Sequence, residues 1–338
     1  MDVNAVLLDI LIVLVAAKAA AEVAERVGTP AVVGEIVAGL VVGPSVLGVV
    51  EPNEVLHTLA ELGVILLLLD VGLEMDLRDL RSVGRSALAV GVIGVAAPMA
   101  AGVSAALALG RSGDEALFLG AALTATSVGI TARVFADLRA LGSVEARTVL
   151  GAAVADDVLG LIVLTVVTRI VTQGNVDAVG IVEVVAVALA FVVMATAVGL
   201  RVAPPLFAAI RRYSRSGGTL VALALAFTLA FAELAHAADL APIVGAFVAG
   251  LALGRTNAAH QVRRDLAPVG HLLVPVFFLQ IGIDADVGAF ADPKVIAIAG
   301  VLLVVGVAGK LLAGAGMAGR PGDKLLVGIG MVPRVRSD

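Results

Sequence analysis

The chain has 338 residues, 60% of them hydrophobic and 15% charged, with a formal net charge of -5 and a mean hydropathy of +1.08. Soluble domains carry roughly 25% charged residues, so this composition excludes a water-soluble globular protein and reads as an integral membrane protein. With no cysteine and no tryptophan in the chain, disulfides, thiolate metal sites and cysteine redox chemistry are excluded as well.

Hydropathy and Gly/Pro punctuation predict about twelve spans, near 4–25, 31–49, 56–74, 86–109, 115–137, 147–171, 178–204, 217–236, 241–254, 267–283, 295–318 and 324 to the end. Met1 leads into the first span without a cleavage-site pattern, and apolar runs of spanning length recur throughout. One all-α polytopic domain over 1–338, with no separate soluble domain, is the expectation. Sixteen Lys and Arg fall in the loops after spans 1, 3, 5, 7, 9 and 11, against Arg111, Arg169 and Lys294 in the alternate loops. That asymmetry places the first set in the cytoplasm and the amino terminus outside, in a multi-pass inner-membrane protein.

Along the chain, Lys18, Glu22 and Glu25 have helical spacing near the end of the first span and read as pairing with each other. "GLVVG" (39–43) and "GLALG" (250–254) fit G-x-x-x-G and predict close packing between spans. Asp70 lies about six residues from the cytoplasmic "EMDLRDLR", roughly 9 Å of helix, so it is assigned to an access funnel or the interface rather than to ion coordination. "LTATSVGIT" (123–131) puts Thr124, Thr126, Ser127 and Gly129 inside a span. Hydroxyls beside a glycine suit an unwound helix centre, where they satisfy freed backbone groups and offer oxygens to a hard cation; ordinary helix packing is the alternative.

In the sixth span, twenty-one residues separate Arg147 from Arg169, about 31 Å of helix, with Asp156 and Asp157 near the middle. Each acid costs on the order of 2.5 to 3.5 kcal/mol to insert there, which argues for an ion pathway over a structural role. Such a pair can hold protons or a cation such as Na⁺, but not both at once. Lys310, sixteen residues from Lys294 and ten from Arg320, is too deep to snorkel comfortably and calls for an anionic partner, Asp156 or Asp157. "GAGMAG" (314–319) fits G-x-G-x-x-G but follows no strand and closes a span, so no dinucleotide site is read there. His57, His236, His260 and His271 show no metal-ligand spacing. No cofactor, resident metal or nucleic-acid partner is expected.

Three segments recur in order: "AVVGEIVAGLVVG" with "PIVGAFVAGLALG", "LAELGVILLLLDVGLEMDL" with "LAPVGHLLVPVFFLQIGIDADV", and "RSGDEAL" with "RPGDKLL", offset by roughly 210 residues. Asp70 and Gln280 then occupy equivalent positions. Seven spans separate the copies, an odd number, so they sit in opposite orientations, as in the inverted repeats of secondary transporters. The repeats are placed at about 31–171 and 241–338, with the second break expected at "MVPR" (331–334) and two broken helices crossing. The aspartate span has no counterpart before Asp338, so a thirteenth span and a truncated C-terminus are expected.

"VGEIVAGLVVGPSVLG", "LAELGVILLLLDVGLEMDL", "LTATSVGIT", "VADDVLGL" and "GMVPR", in this order, resemble the bacterial sodium/proton antiporters of the cation:proton antiporter-2 family. The resemblance implies thirteen spans, a dimerisation domain and a mobile core in a homodimer, elevator-like alternating access, and electrogenic exchange of H⁺ for Na⁺ or Li⁺. It also implies that Asp156 and Asp157 form the ion and proton site, that Thr126 is the threonine of the unwound helix, and that Lys310 is the membrane lysine paired with an aspartate. The chain departs from the family in ending "VRSD" after "MVPR" and in carrying Asp70 where an apolar residue is more usual. K⁺/H⁺ exchange is the same-class alternative. A passive cation channel or an ion sensor on a transporter scaffold is the different-class one, and a membrane enzyme lacks a hydrolase motif.

Overall fold

The computed structural model describes residues 3–75, 77–173, 178–213, 217–238, 240–288, 293–319 and 321–333. Among them the secondary structure is helical throughout: α1 Val3–Arg26, α2 Ala31–Val42, α3 Glu54–Glu74, α4 Leu77–Ala108, α5 Gly113–Ala122, α6 Val128–Asp137, α7 Val144–Gln173, α8 Ala178–Tyr213, α9 Gly217–His236, α10 Pro242–Gly254, α11 Ala259–Ile283, α12 Pro293–Leu312 and α13 Lys324–Gly330. A 3₁₀ turn, Ala313–Met317, follows α12.

Local chemistry fixes several starts. The Asn53 side chain accepts from Leu56 N at 3.0 Å and opens α3. Asp323 does the same for α13, accepting from Leu325 N at 2.8 Å and Leu326 N at 3.2 Å. In each case a short side-chain acceptor satisfies amides that the helix itself leaves unpaired. Pro242 stands at the first turn of α10, where its missing N–H costs nothing.

Six helical segments among the described residues have the length and apolarity to cross a membrane: Glu54–Glu74, Val83–Ala108, Val193–Tyr213, Gly218–His236, Ala259–Ile283 and Ile296–Met317. Ala31–Val42 and Pro242–Gly254 are apolar but shorter. The fifth predicted span is two helices, because the chain leaves the helix over Leu123–Ser127 between α5 and α6. Two ends differ from the hydropathy reading for a packing reason. Helix α8 runs through Pro204 and Pro205 to Tyr213, and α11 begins at Ala259, well before its apolar run. Ala203, Phe207, Val262 and Leu266 are buried in one cluster with Leu253, so tertiary contact carries both helices past the points where composition changes.

Contacts divide the helices into two bundles. In one, α3 packs on α10 and α11, α2 on α1 and α11, and α10 on α8 and α9; in the other, α4 packs on α5, α7, α12 and the 3₁₀ turn, with α6 and α13 against α7. They meet where α6 touches α2 and α3, and where α7 touches α8.

The first bundle has a reciprocal arrangement of glycines. A Cβ on Gly39 of α2 would collide with Leu279 O and approach Gly282 of α11, while one on Gly250 of α10 would meet Leu69 O and Gly72 of α3. Gly34 lies against Ala20 O of α1 as Gly245 lies against Phe231 O of α9. At these approaches backbone rests on backbone, which leaves no room for a side chain.

Candidate ion site at two helix breaks

Asp156 sits on α7 and Lys310 on α12, in the same bundle, and both are almost without solvent exposure, at 2% and 0%. Lys310 Nζ donates to the Thr124 carbonyl and to Thr126 Oγ1, with Asp156 Oδ2 at 3.4 Å. The ammonium is therefore held by the break between α5 and α6 on one side and by α7 on the other. The other Asp156 oxygen, Oδ1, is buried with no hydrogen-bond partner among the described residues. A carboxylate oxygen of this kind is a ready ligand for a hard cation or a proton.

The break is fixed by the end of α13. Ser127 N donates to Pro333 O at 2.8 Å, Thr131 Oγ1 to Gly330 O at 3.0 Å and Thr126 Oγ1 to Met331 O at 3.5 Å. The non-helical residues after α5 thus bond to those at the end of α13, where Met331–Pro333 leave the helix. The α5–α6 break and the end of α13 each satisfy backbone groups that the other exposes, which is how irregular backbone persists inside an apolar protein.

Roles divide among the hydroxyl residues. Thr126 places its oxygen on Lys310, whereas Thr124 acts through its carbonyl while its hydroxyl donates back to Ala121 O at 2.7 Å. Ser127 Oγ accepts from Ile130 N at 3.2 Å and caps α6. The Asp157 side chain lies outside the described residues. Asp70 is apart from this site: it is half-exposed and pairs with Arg263 at 2.8 Å, as does Glu74. Gln280, aligned with Asp70 in the recurring sequence segments, donates to Asp284 Oδ1 at 2.8 Å. In α1, Glu22 pairs with Arg26 at 2.8 Å rather than with Lys18.

Asp70 and Arg263 face Arg133 and Asp137 across a crevice of about 280 Å³, between α3 and α11 of one bundle and α6 of the other, with His271 and Leu66 also in its walls. Behind Arg133 lies a residue that sequence reasoning passed over. Glu35 of α2 is fully buried, and Arg133 Nη2 stands 3.6 Å from its Oε1. A signal was present: in the matched segments "VGEIVAGL" and "VGAFVAGL", Glu35 stands opposite Ala246, an acid in an otherwise apolar run.

The family profile described as sodium/hydrogen exchanger, transmembrane, matches residues 10–336. A high-affinity Na⁺/H⁺ antiporter, NhaS3, from Synechocystis is 34% identical, covering 97% of this chain and 80% of that protein. The Na⁺/H⁺-K⁺ antiporter GerN of Bacillus cereus is also 34% identical, covering 96% of this chain and 84% of its own. Among solved structures, the sodium proton antiporter MjNhaP1 from Methanocaldococcus jannaschii superposes with a TM-score of 0.73 at 17% identity, over 97% of this chain and 81% of that one.

Proposed function

Since the chain belongs to the sodium/hydrogen exchanger transmembrane family, we propose that it is a secondary antiporter exchanging protons for a monovalent cation, Na⁺ or Li⁺ first. The observation that carries this reading is the buried Asp156–Lys310 contact at the junction of two helix breaks. A cation that binds the Asp156 carboxylate competes with the ammonium for the same negative charge. Binding therefore loosens Lys310, whose proton can leave, and the reverse sequence reloads the site. Asp157, the adjacent residue on α7, is assigned as the second member of the proton and cation site. Thr126 and the Thr124 carbonyl hold Lys310 while it is charged, and Ser127 keeps α6 started where the break needs it. Asp70 remains assigned to the funnel, in keeping with its place on the crevice wall.

The finer architecture follows the same reading. About twelve spans in inverted repeats are supported by the glycine reciprocity, since Gly39 on Leu279 and Gly250 on Leu69 are one contact repeated with the copies exchanged. The arginine-rich loops support an amino terminus outside the inner membrane. Motion of the α4–α7 bundle against the other, in a homodimer, would carry the site between the two faces.

K⁺ is the second reading for the cation, supported by the name of GerN, a relative described as exchanging both ions. The test is a proton gradient in everted vesicles or proteoliposomes. Na⁺ or Li⁺ is expected to dissipate it, Asp156→Asn or Asp157→Asn is expected to abolish the response, and a titration with K⁺ ranks the cations. Full Na⁺ response in both variants would sink the site assignment, and cation flux without proton movement would instead mark a channel.

A further inference from the structure

Glu35 is a carboxylate inside an apolar helix that the exchange chemistry above leaves unused. It is 0% exposed, and neither of its oxygens has a hydrogen-bond partner among the described residues. Its nearest counter-charge is supplied by the other bundle: Glu35 lies on α2, and Arg133 reaches it at 3.6 Å from α6, while Lys18 of α1 adds a weaker attraction from its own bundle. Arg133 is shared, because its Nε also donates to Asp137 Oδ1 at 2.9 Å on its own helix. Two walls of charge thus meet at the seam between the bundles, with Glu35 sealed behind the arginine.

Helix α6 begins at the break that holds Lys310, so Arg133 is tied through Ser127, Thr126 and Thr124 to the ion site. Any displacement that carries this unit past α2 must stretch the Glu35–Arg133 contact. A buried carboxylate whose cation is withdrawn is strongly disfavoured until it is neutralised or paired again. The contact is therefore favourable in the arrangement seen here and costly to leave. The second copy has Ala246 at the matching position and carries no such carboxylate.

We propose that Glu35 and Arg133 are positioning residues for transport: they form an ion-pair latch between the two bundles that holds the crevice-open arrangement and releases each time the ion-site bundle shifts. The latch rests on the exchange reading only for the motion it restrains. Because Ala246 replaces Glu35 in the other copy, the latch biases one of the two access states and not its mirror.

The absence of cysteine makes the test direct. Ala136 lines the crevice, and Ala136→Cys supplies a single thiol whose rate of reaction with a membrane-impermeant maleimide, applied to inside-out vesicles, reports the open crevice. Adding Glu35→Gln is expected to slow that labelling at least threefold by depopulating the latched arrangement. Arg133→Gln alone, which strands Glu35, is expected to lose exchange and folded yield, and Glu35→Gln in the same chain is expected to restore both to within about threefold of the Glu35→Gln variant. Labelling that is unchanged or faster in Glu35→Gln, or a double variant no better than Arg133→Gln, overturns the latch. If the parent exchanges no cation while labelling still responds to Glu35→Gln, the exchange reading fails and the latch stands.

Discussion

Asp156 and Glu35 are both carboxylates buried in apolar helices beside a cation, and they differ in where that cation comes from. Lys310 belongs to the same bundle as Asp156, and the break between α5 and α6 holds it in place. Arg133 reaches Glu35 from the opposite bundle across a seam that also contains the crevice. A pair inside one body travels with that body, so it can serve as cargo site through a whole cycle. A pair between bodies reads their relative position instead, because it exists in some arrangements and is broken in others. In the proposed reading, one kind of interaction, a buried ion pair, thus serves chemistry in one place and mechanics in the other.

The sharpest way to break this contrast is to remove the cation of the internal pair. Lys310→Ala leaves Asp156 buried and uncompensated, and is expected to destabilise the protein by about 3–5 kcal/mol, as breaking a buried pair generally does. Thermal unfolding in detergent would read the loss, and Asp156→Asn added to it should recover a large part; no recovery would mean that the two residues are not energetically paired. A smaller effect is expected from Gly250→Val, which forces a side chain against Leu69 O and Gly72. Overpacking of that kind costs about 1–3 kcal/mol. It should lower the melting temperature in detergent by a corresponding amount, and an unchanged melting temperature would show that α3 and α10 can part to take a side chain. Smallest is Asp70→Asn: the Asp70–Arg263 pair is half-exposed, and Glu74 remains on the same guanidinium. A stability change under about 1 kcal/mol is expected, and a melting shift as large as that of Gly250→Val would contradict it.

Asp156 and Lys310 were legible in the sequence because ionisable residues deep in apolar runs are expensive and therefore conspicuous. The break at Thr124–Ser127 was legible for a similar reason, since hydroxyls in a row mark places where backbone must be satisfied locally. Which aspartate stands beside Lys310 was not, because α7 and α12 are linked by no pattern of spacing; the fold brings Asp156 to 3.4 Å. Glu35 was missed although its mismatch with Ala246 was visible. Its meaning depends on Arg133, nearly a hundred residues away, and on the two lying across a seam rather than within one helix pair.

The glycine motifs divide in the same way. G-x-x-x-G announced close packing, but nothing in "GLVVG" or "GLALG" says that Gly39 faces α11 and Gly250 faces α3. Composition and charge distribution determined that this chain is a membrane protein with ionisable groups set in apolar helices, because transfer energies act residue by residue along a helix. Tertiary structure alone decided which charges meet, that the α5–α6 break and the end of α13 complete one another, and that one buried pair lies within a bundle and the other between two, because those facts depend on distances between segments remote in the chain.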